Sequence, residues 1–250
     1  MSEPDGGVVL VLGSGPDAVR CRSWPREAIT SIVAINNAWQ VRPDWDFLVH
    51  PADFPSERRP GHLTSDQRLI DFSAFVPAVN DYGGMVFCGG TMAFTAAYWA
   101  LHALRPAVLA FLGCDMIYTP GKRTHFYGKG RPDPLRSDVT LQSLEAKSAR
   151  LALVAAARGC SAVNLSDQPR SRLLLDRIAV EDLDRPSAVP APRDDADTRA
   201  RVAALRAREN ALGYEVPCGR YWREAERFDP AQLQIIDRLW LDAFGLRAAA

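Results

Sequence analysis

Of the four histidines in the chain, His125 has the surroundings that most suggest chemistry. It stands in "GCDMIYTPGKRTHFYGKGRPDPLRSD", with Tyr118 and Tyr127 close by. The stretch from Ile117 to Asp138 carries Lys122, Arg123, Lys129, Arg131 and Arg136 against Asp133 and Asp138, a basic segment in a chain of zero net charge. An imidazole with an ordinary pKa of about 6.5 can take or give a proton near neutrality. A basic flap beside it suits phosphates. Loops of this length inside compact domains serve as lids or binding segments, or are disordered. The residues read equally as a loop histidine packed on Tyr127.

Other candidates follow short apolar runs. "VVLVLG" leads into Gly13, Ser14, Gly15 and Pro16, a turn in which glycine amides can face an anion or simply reverse the chain. The turn lacks the third glycine of a dinucleotide fingerprint and the Lys-Ser or Lys-Thr of a P-loop. Asn36 and Asn37 end "SIVAIN" and offer a donor and an acceptor each, while also being good turn residues. His50 and Asp53 follow "DFLVHP"; for His50 a strand-end hydrogen bond is the plainer reading. Gly89 and Gly90 precede Thr91, a cap for an apolar helix, so a ligand could lie against bare backbone at the helix's positive end. Gly113 and Asp115 close "AVLAFLG" and its continuation. One carboxylate without a partner makes no metal site, and none is expected.

These residues need strands to deliver them to one edge. The runs "VVLVLG", "SIVAIN", "DFLVHP", "FVPAV", "AVLAFLG" and "SAVNLS" have strand length and are apolar on both faces. Helical spacing occupies Thr91 to Leu104 and Val139 to Arg158, the second closed by Gly159. The alternation predicts an α/β, Rossmann-like domain over residues 1–185, its mainly parallel sheet covered by helices on both faces. "RPSAVPAPRDDAD" marks a proline-rich linker, 186–197, and 198–250 forms a small helical appendage in which Asp229 caps a helix starting at Pro230. The appendage is either merely attached or part of the core's packing or of a homo-oligomer interface.

Charge narrows the partners. Thirty basic residues balance thirty acidic ones, and from Arg193 onward acids and arginines are equal in number, so neither chain nor tail attracts nucleic acid or anionic membrane. Only three of the thirty basic residues are lysine, a compositional bias of the genome rather than a signal of function. Five widely separated cysteines without a Cys-x-x-Cys pair argue against a disulfide framework or a structural metal and read as small buried hydrophobes. No apolar stretch is long enough for a membrane span, and the opening "MSEPDGG" has no signal-peptide pattern, so a cytoplasmic location is expected.

The ordered motifs "GSGPD", "AINNAW", "CGGTMAFTAAYWALHALRPAVLAFLGCDMIY" and "THFYG", then "LEA" and "NLS", resemble the Rossmann-like superfamily of bacterial family forty-two sialyltransferases and hydroxymethylpterin diphosphokinase domains of the MptE type. Uncharacterised phage and bacterial proteins have a similar order of motifs. The resemblance covers about residues 7 to 175. Its sialyltransferase branch implies a metal-independent glycosyltransferase that moves a sugar from a CMP-sugar to a small-molecule or glycan acceptor. Gly13 to Pro16 would then lie at the phosphates, Asn36 near the sugar-phosphate, Gly90 and Thr91 beside the cytidine, and Gly113 and Asp115 beneath the nucleotide. Tyr118 and Tyr127 would support the leaving phosphate and His125 would be the base. The MptE-like branch implies ATP, with Asp115 helping to bind magnesium. A non-catalytic nucleotide-binding or surface-assembly module is the third reading. Where the transferases carry Asn-Gly-Pro-Ser, this chain has Ser14-Gly15-Pro16-Asp17, so a carboxylate falls close to the expected phosphate. Asp17 must point away or meet a cation.

Overall fold

A computed structural model describes residues 6–119, 121–129, 136–185 and 187–245. Seven strands form one all-parallel sheet: β1 (Val8–Leu12), β2 (Ser31–Ile35), β3 (Phe47–Val49), β4 (Arg68–Ile70), β5 (Val108–Leu112), β6 (Ser161–Asn164) and β7 (Asp176–Arg177). Their spatial order is β4-β3-β2-β1-β5-β6-β7. The chain steps outward from β1 to β4, then crosses back so that β5 pairs with β1, Leu12 opposite Leu112. Such a reversal leaves a crevice at the carboxyl ends of the two central strands.

The expected Rossmann-like α/β architecture is present, and alternation along the strands explains its two cores. Val9, Val11, Val33 and Val49 face a cluster to which six α-helices contribute: α1 (Phe72–Asn80), α2 (Gly84–Cys88), α3 (Met92–Ala103), α4 (Leu144–Ala156), α5 (Ala196–Leu212) and α6 (Pro230–Phe244). Leu10, Leu12, Ile32 and Leu48 face the other cluster. That side is covered by 3-10 turns at Pro16–Ser23 and Asn36–Gln40 and by later residues such as Ile178 and Leu183. Burial of such a side chain from both faces contributes about 1.5–3 kcal/mol.

Two readings of the sequence change. "FVPAV", Phe75 to Val79, is not a strand but lies in α1, where the Asp71 carboxylate caps Ser73 N–H at 2.9 Å. A short apolar run has no period of its own, and the cap upstream decides it. The Val139 to Arg158 helix begins later: Val139–Leu141 is a 3-10 turn, and α4 starts behind the Ser143 cap. "CGGT" links α2 to α3. The caps at Thr91 and Asp229 stand as expected. Four of the five cysteines, Cys21, Cys88, Cys114 and Cys160, are buried and free.

The C-terminal helices share the core rather than lying beside it. Arg150 of α4, 1% exposed, donates from Nε and Nη2 to the Glu209 carboxylate of α5 at 2.8 and 2.7 Å. Trp240 of α6 donates its indole N–H to the same carboxylate at 2.8 Å, and Lys147 meets Asp237 at 2.8 Å. Among the described residues no helix is long and apolar enough to cross a membrane.

Candidate functional site

A cavity of about 470 Å³ occupies the crevice at the carboxyl edge of the sheet. Its wall includes Gly13, Ser14, Gly15 and Pro16 after β1, Asn36 and Asn37 after β2, and Gly113 and Asp115 after β5. The glycines are there because two backbones touch. Gly13 N–H donates to Leu112 O and Gly15 N–H to Gly113 O, both at 2.8 Å. A Cβ on Gly15 would stand 2.8 Å from Gly113 O, and Gly113 itself lies at φ +70° with Ala18 against it. The amides of Gly13 and Gly15, which the sequence offered to an anion, are thus spent on the joint between β1 and β5.

Anion-ready amides lie instead at the start of α3. Thr91, Met92 and Ala93 line the cavity, and the Thr91 hydroxyl accepts from Phe94 N–H at 3.3 Å. The first amides of a helix have no acceptor within it, so Met92 and Ala93 present donors at the positive helix end. Gly89 and Gly90 do not line the cavity. Lys147 packs on Gly89, and the Tyr221 hydroxyl fills the space where Gly90 would carry a Cβ. Gly90 N–H donates to Thr140 Oγ1 at 3.0 Å and its carbonyl accepts from Arg136 at 2.8 Å. Gly89 therefore serves the packing of α4 and Gly90 that of the C-terminal segment.

Asn36 holds a left-handed backbone, φ +51°, and its Oδ1 is buried without a hydrogen-bond partner among the described residues. Asparagine tolerates that conformation better than most residues, yet the acceptor left unmatched costs about 1–3 kcal/mol. A donor on a ligand would satisfy it.

The loop after β5 folds onto the cavity. Phe126 N–H donates to Ser14 O at 3.0 Å, and the buried Phe126 ring packs into the second core cluster. This anchor places its sequence neighbours His125 and Tyr127 at the cavity, with Tyr118 and Thr124. His125 stacks on Tyr127, ring centroids 5.0 Å apart at 21°, and lies 6.2 Å from the Tyr118 ring. Its Nδ1 is 2.9 Å from Thr124 Oγ1. Burial pushes the imidazole pKa below its ordinary value, so the neutral, proton-accepting form prevails at neutral pH. Lys122 and Arg123 line the cavity, together with Arg58 and Arg170 from other loops. Arg136 instead turns to Asp138, Tyr221 and Gly90, while Arg131 and Asp133 lie outside the described residues.

Asp17 points away from the cavity. Its Oδ2 lies 2.7 Å from Ser166 Oγ, which lies 2.6 Å from Asp115 Oδ2. The same hydroxyl accepts Gln168 N–H at 3.1 Å. A hydroxyl has one proton to donate, so a chain of three oxygens this close needs a second proton from a carboxyl. Burial, with the Asp115 charge adding to it, raises the Asp17 pKa, which makes Asp17 the carrier. The unfolded carboxyl titrates near 3.8. This site's contribution to stability is therefore full below that value and is lost as pH rises through the higher folded value. Asp17→Asn supplies a donor at every pH. Its stability relative to the parent should rise as the pH climbs above about 4 in urea titrations; a pH-independent difference would remove Asp17 as the proton carrier.

Of the remaining candidates, His50 is buried with Nδ1 3.0 Å from Pro51 O, the plainer role, and Asp53 is exposed. Neither lines the cavity. Sequence reasoning passed over Ser166 and Asn164 beneath Asp115; "NLS" at the end of β6 was the available signal. Arg58 and Arg170 gave none, being two exposed loop arginines among many. No family model, curated protein or solved structure matches the chain.

Proposed function

We propose that the cavity binds a nucleotide and that the protein is a transferase, a glycosyltransferase taking its sugar from a CMP-activated donor and passing it to a small-molecule or glycan hydroxyl. The observation that carries this reading is the placement of a half-buried His125 beside Tyr118 and Tyr127, in one cavity with the α3 N-terminus and a rim of Lys122, Arg123, Arg58 and Arg170. In such a transfer the acceptor oxygen bonds to the anomeric carbon as the bond from that carbon to the CMP phosphate oxygen breaks. The acceptor proton passes to the imidazole. Negative charge grows on the departing phosphate, where helix amides and basic side chains stabilise it. The unmatched Asn36 acceptor suits a hydroxyl or amino group of the donor.

The MptE-like alternative requires ATP and asks Asp115 to serve magnesium. Asp115 accepts from Asn164 Nδ2 at Oδ1, 3.3 Å, and from Ser166 Oγ at Oδ2, 2.6 Å, which favours a structural task at the cavity floor. Thermal-shift measurements with CMP, CDP, UDP, GDP and ATP, with and without magnesium, test the proposal. Stabilisation by CMP without magnesium is expected. ATP stabilisation that needs magnesium would move the assignment to the diphosphokinase class, and silence with every nucleotide would overturn both.

A further inference from the structure

A second cavity, of about 410 Å³, lies at the opposite edge of the sheet, where α3 and α4 run out before β5 and β6 begin. Leu101, Pro106, Val154 and Val202 make its wall apolar. Its charged lining consists of three arginines, Arg105, Arg158 and Arg206, with no carboxylate among the described lining residues.

Arginines at helix ends often serve the helix dipole alone, and Arg158 also stacks on the Tyr82 ring, 4.6 Å from its centroid. Arg206 sits inside α5 and serves the C-terminal end of another helix, α1, with only part of its guanidinium. Its Nη2 reaches Asp81 O at 3.2 Å, but its Nε has no hydrogen-bond partner among the described residues. The nearest carboxylate, Glu209 at 3.6 Å, already accepts two bonds from Arg150 and one from Trp240. Burial, and then the Arg150 charge, disfavour the Arg206 cation. A second unmatched donor stands in the same wall: the Tyr82 hydroxyl is buried without a partner, and burial pushes its pKa up to about 12, so it keeps its proton. Arg105 adds a backbone feature. It follows α3 in the left-handed region, φ +44°, where glycine is usual, yet an arginine is held there.

Two guanidinium groups, Arg150 and Arg206, sharing the single Glu209 carboxylate, with unmatched donors and apolar walls in one cavity, describe a ligand with an oxyanion head and an apolar body. We propose that this cavity binds a small amphipathic organic anion, a carboxylate or phosphate monoester on a short hydrocarbon body, separately from the nucleotide cavity. The oxyanion would sit among the three guanidinium groups and the hydrocarbon against Leu101, Val154 and Val202.

Methyl NMR of the full chain tests this, with octanoate, octyl phosphate and octylammonium each titrated below its micellar concentration. Saturable shifts of the Leu101, Val154 and Val202 methyls are expected with either anion and not with octylammonium; the relative affinities of the two anions identify the preferred head group. Arg158→Glu and Arg105→Glu, both at exposed positions, should each weaken binding by about tenfold or more. The proposal is overturned by an absence of saturable shifts at those methyls, by equal binding of the octylammonium cation, or by unchanged affinity in both variants. The methyl shifts locate the site in the parent protein, so a variant that fails to fold leaves the test standing.

Discussion

Glu209→Ala is expected to cost about 3–5 kcal/mol of stability, the range for removing one partner of a buried ion pair. The substitution strands the Arg150 guanidinium, 1% exposed, and deprives the buried Trp240 indole of its acceptor. Arg150 keeps bonds to Tyr98 Oη at 2.7 Å and to the Tyr82 carbonyl, but neither carries a compensating charge. At roughly 2–4 °C per kcal/mol for a chain of this size, the midpoint should fall by about 6–20 °C. Urea titration would refute the assignment with a loss below about 1 kcal/mol. Replacing both partners by apolar residues, Arg150→Met with Glu209→Leu, should recover much of the loss, because the expense lies in the unpaired charge. Cutting the chain near residue 190 removes the carboxylates of both Arg150 and Lys147 and uncovers the apolar flank of α4. The remainder should not unfold as a cooperative unit and should precipitate.

His125→Ala is expected to lower turnover by about 10²–10⁴-fold while leaving nucleotide affinity nearly unchanged, the pattern of a lost general base. Its ring meets Thr124, Tyr118 and Tyr127, and it belongs to neither core cluster, so the fold should survive. The pH profile gives an independent check. Burial lowers the imidazole pKa, so the acidic limb should lie below the ordinary histidine value and activity should persist as pH falls past about 6.5. Turnover unchanged in His125→Ala removes the residue from the reaction. An acidic limb above that value contradicts the burial seen around the ring.

The central strands were legible because β1, β2 and β5 are buried on both faces and read as nearly continuous apolar runs, and β6, with Ser161 and Asn164 at its ends, still has an apolar centre. The edges were not. "RLI" in β4 is three residues long and largely exposed, and β7 is the exposed pair Asp176 and Arg177. Local sequence cannot distinguish such strands from loops, since the neighbouring strand's free hydrogen-bonding edge decides their state. The site was legible where a residue type follows a strand, as at Gly13, Asn36, Gly113 and Asp115. It was misread where the partner is distant in sequence. Gly90 looked like room for a ligand until Tyr221 came to fill it, and Asp17 looked like a phosphate's bad neighbour until Ser166 turned it inward. The loop showed its aromatic residues, but not that Phe126 is the anchor and that its neighbours face the cavity.

The Arg150–Glu209 pair also sets a schedule for protein synthesis. Its partners are 59 residues apart, and Lys147 waits 90 residues for Asp237. At roughly 5–20 residues per second, Arg150 leaves the ribosome about 3–12 s before its carboxylate follows. Within that interval, once β6 and β7 have followed Arg150 out, the sheet has all seven strands while Arg150 and Lys147 still lack the carboxylates of Glu209 and Asp237. The nascent chain should therefore stay loosely packed and open to chaperones until α5 and α6 emerge, so that completion of the chain, rather than of the sheet, triggers its closure.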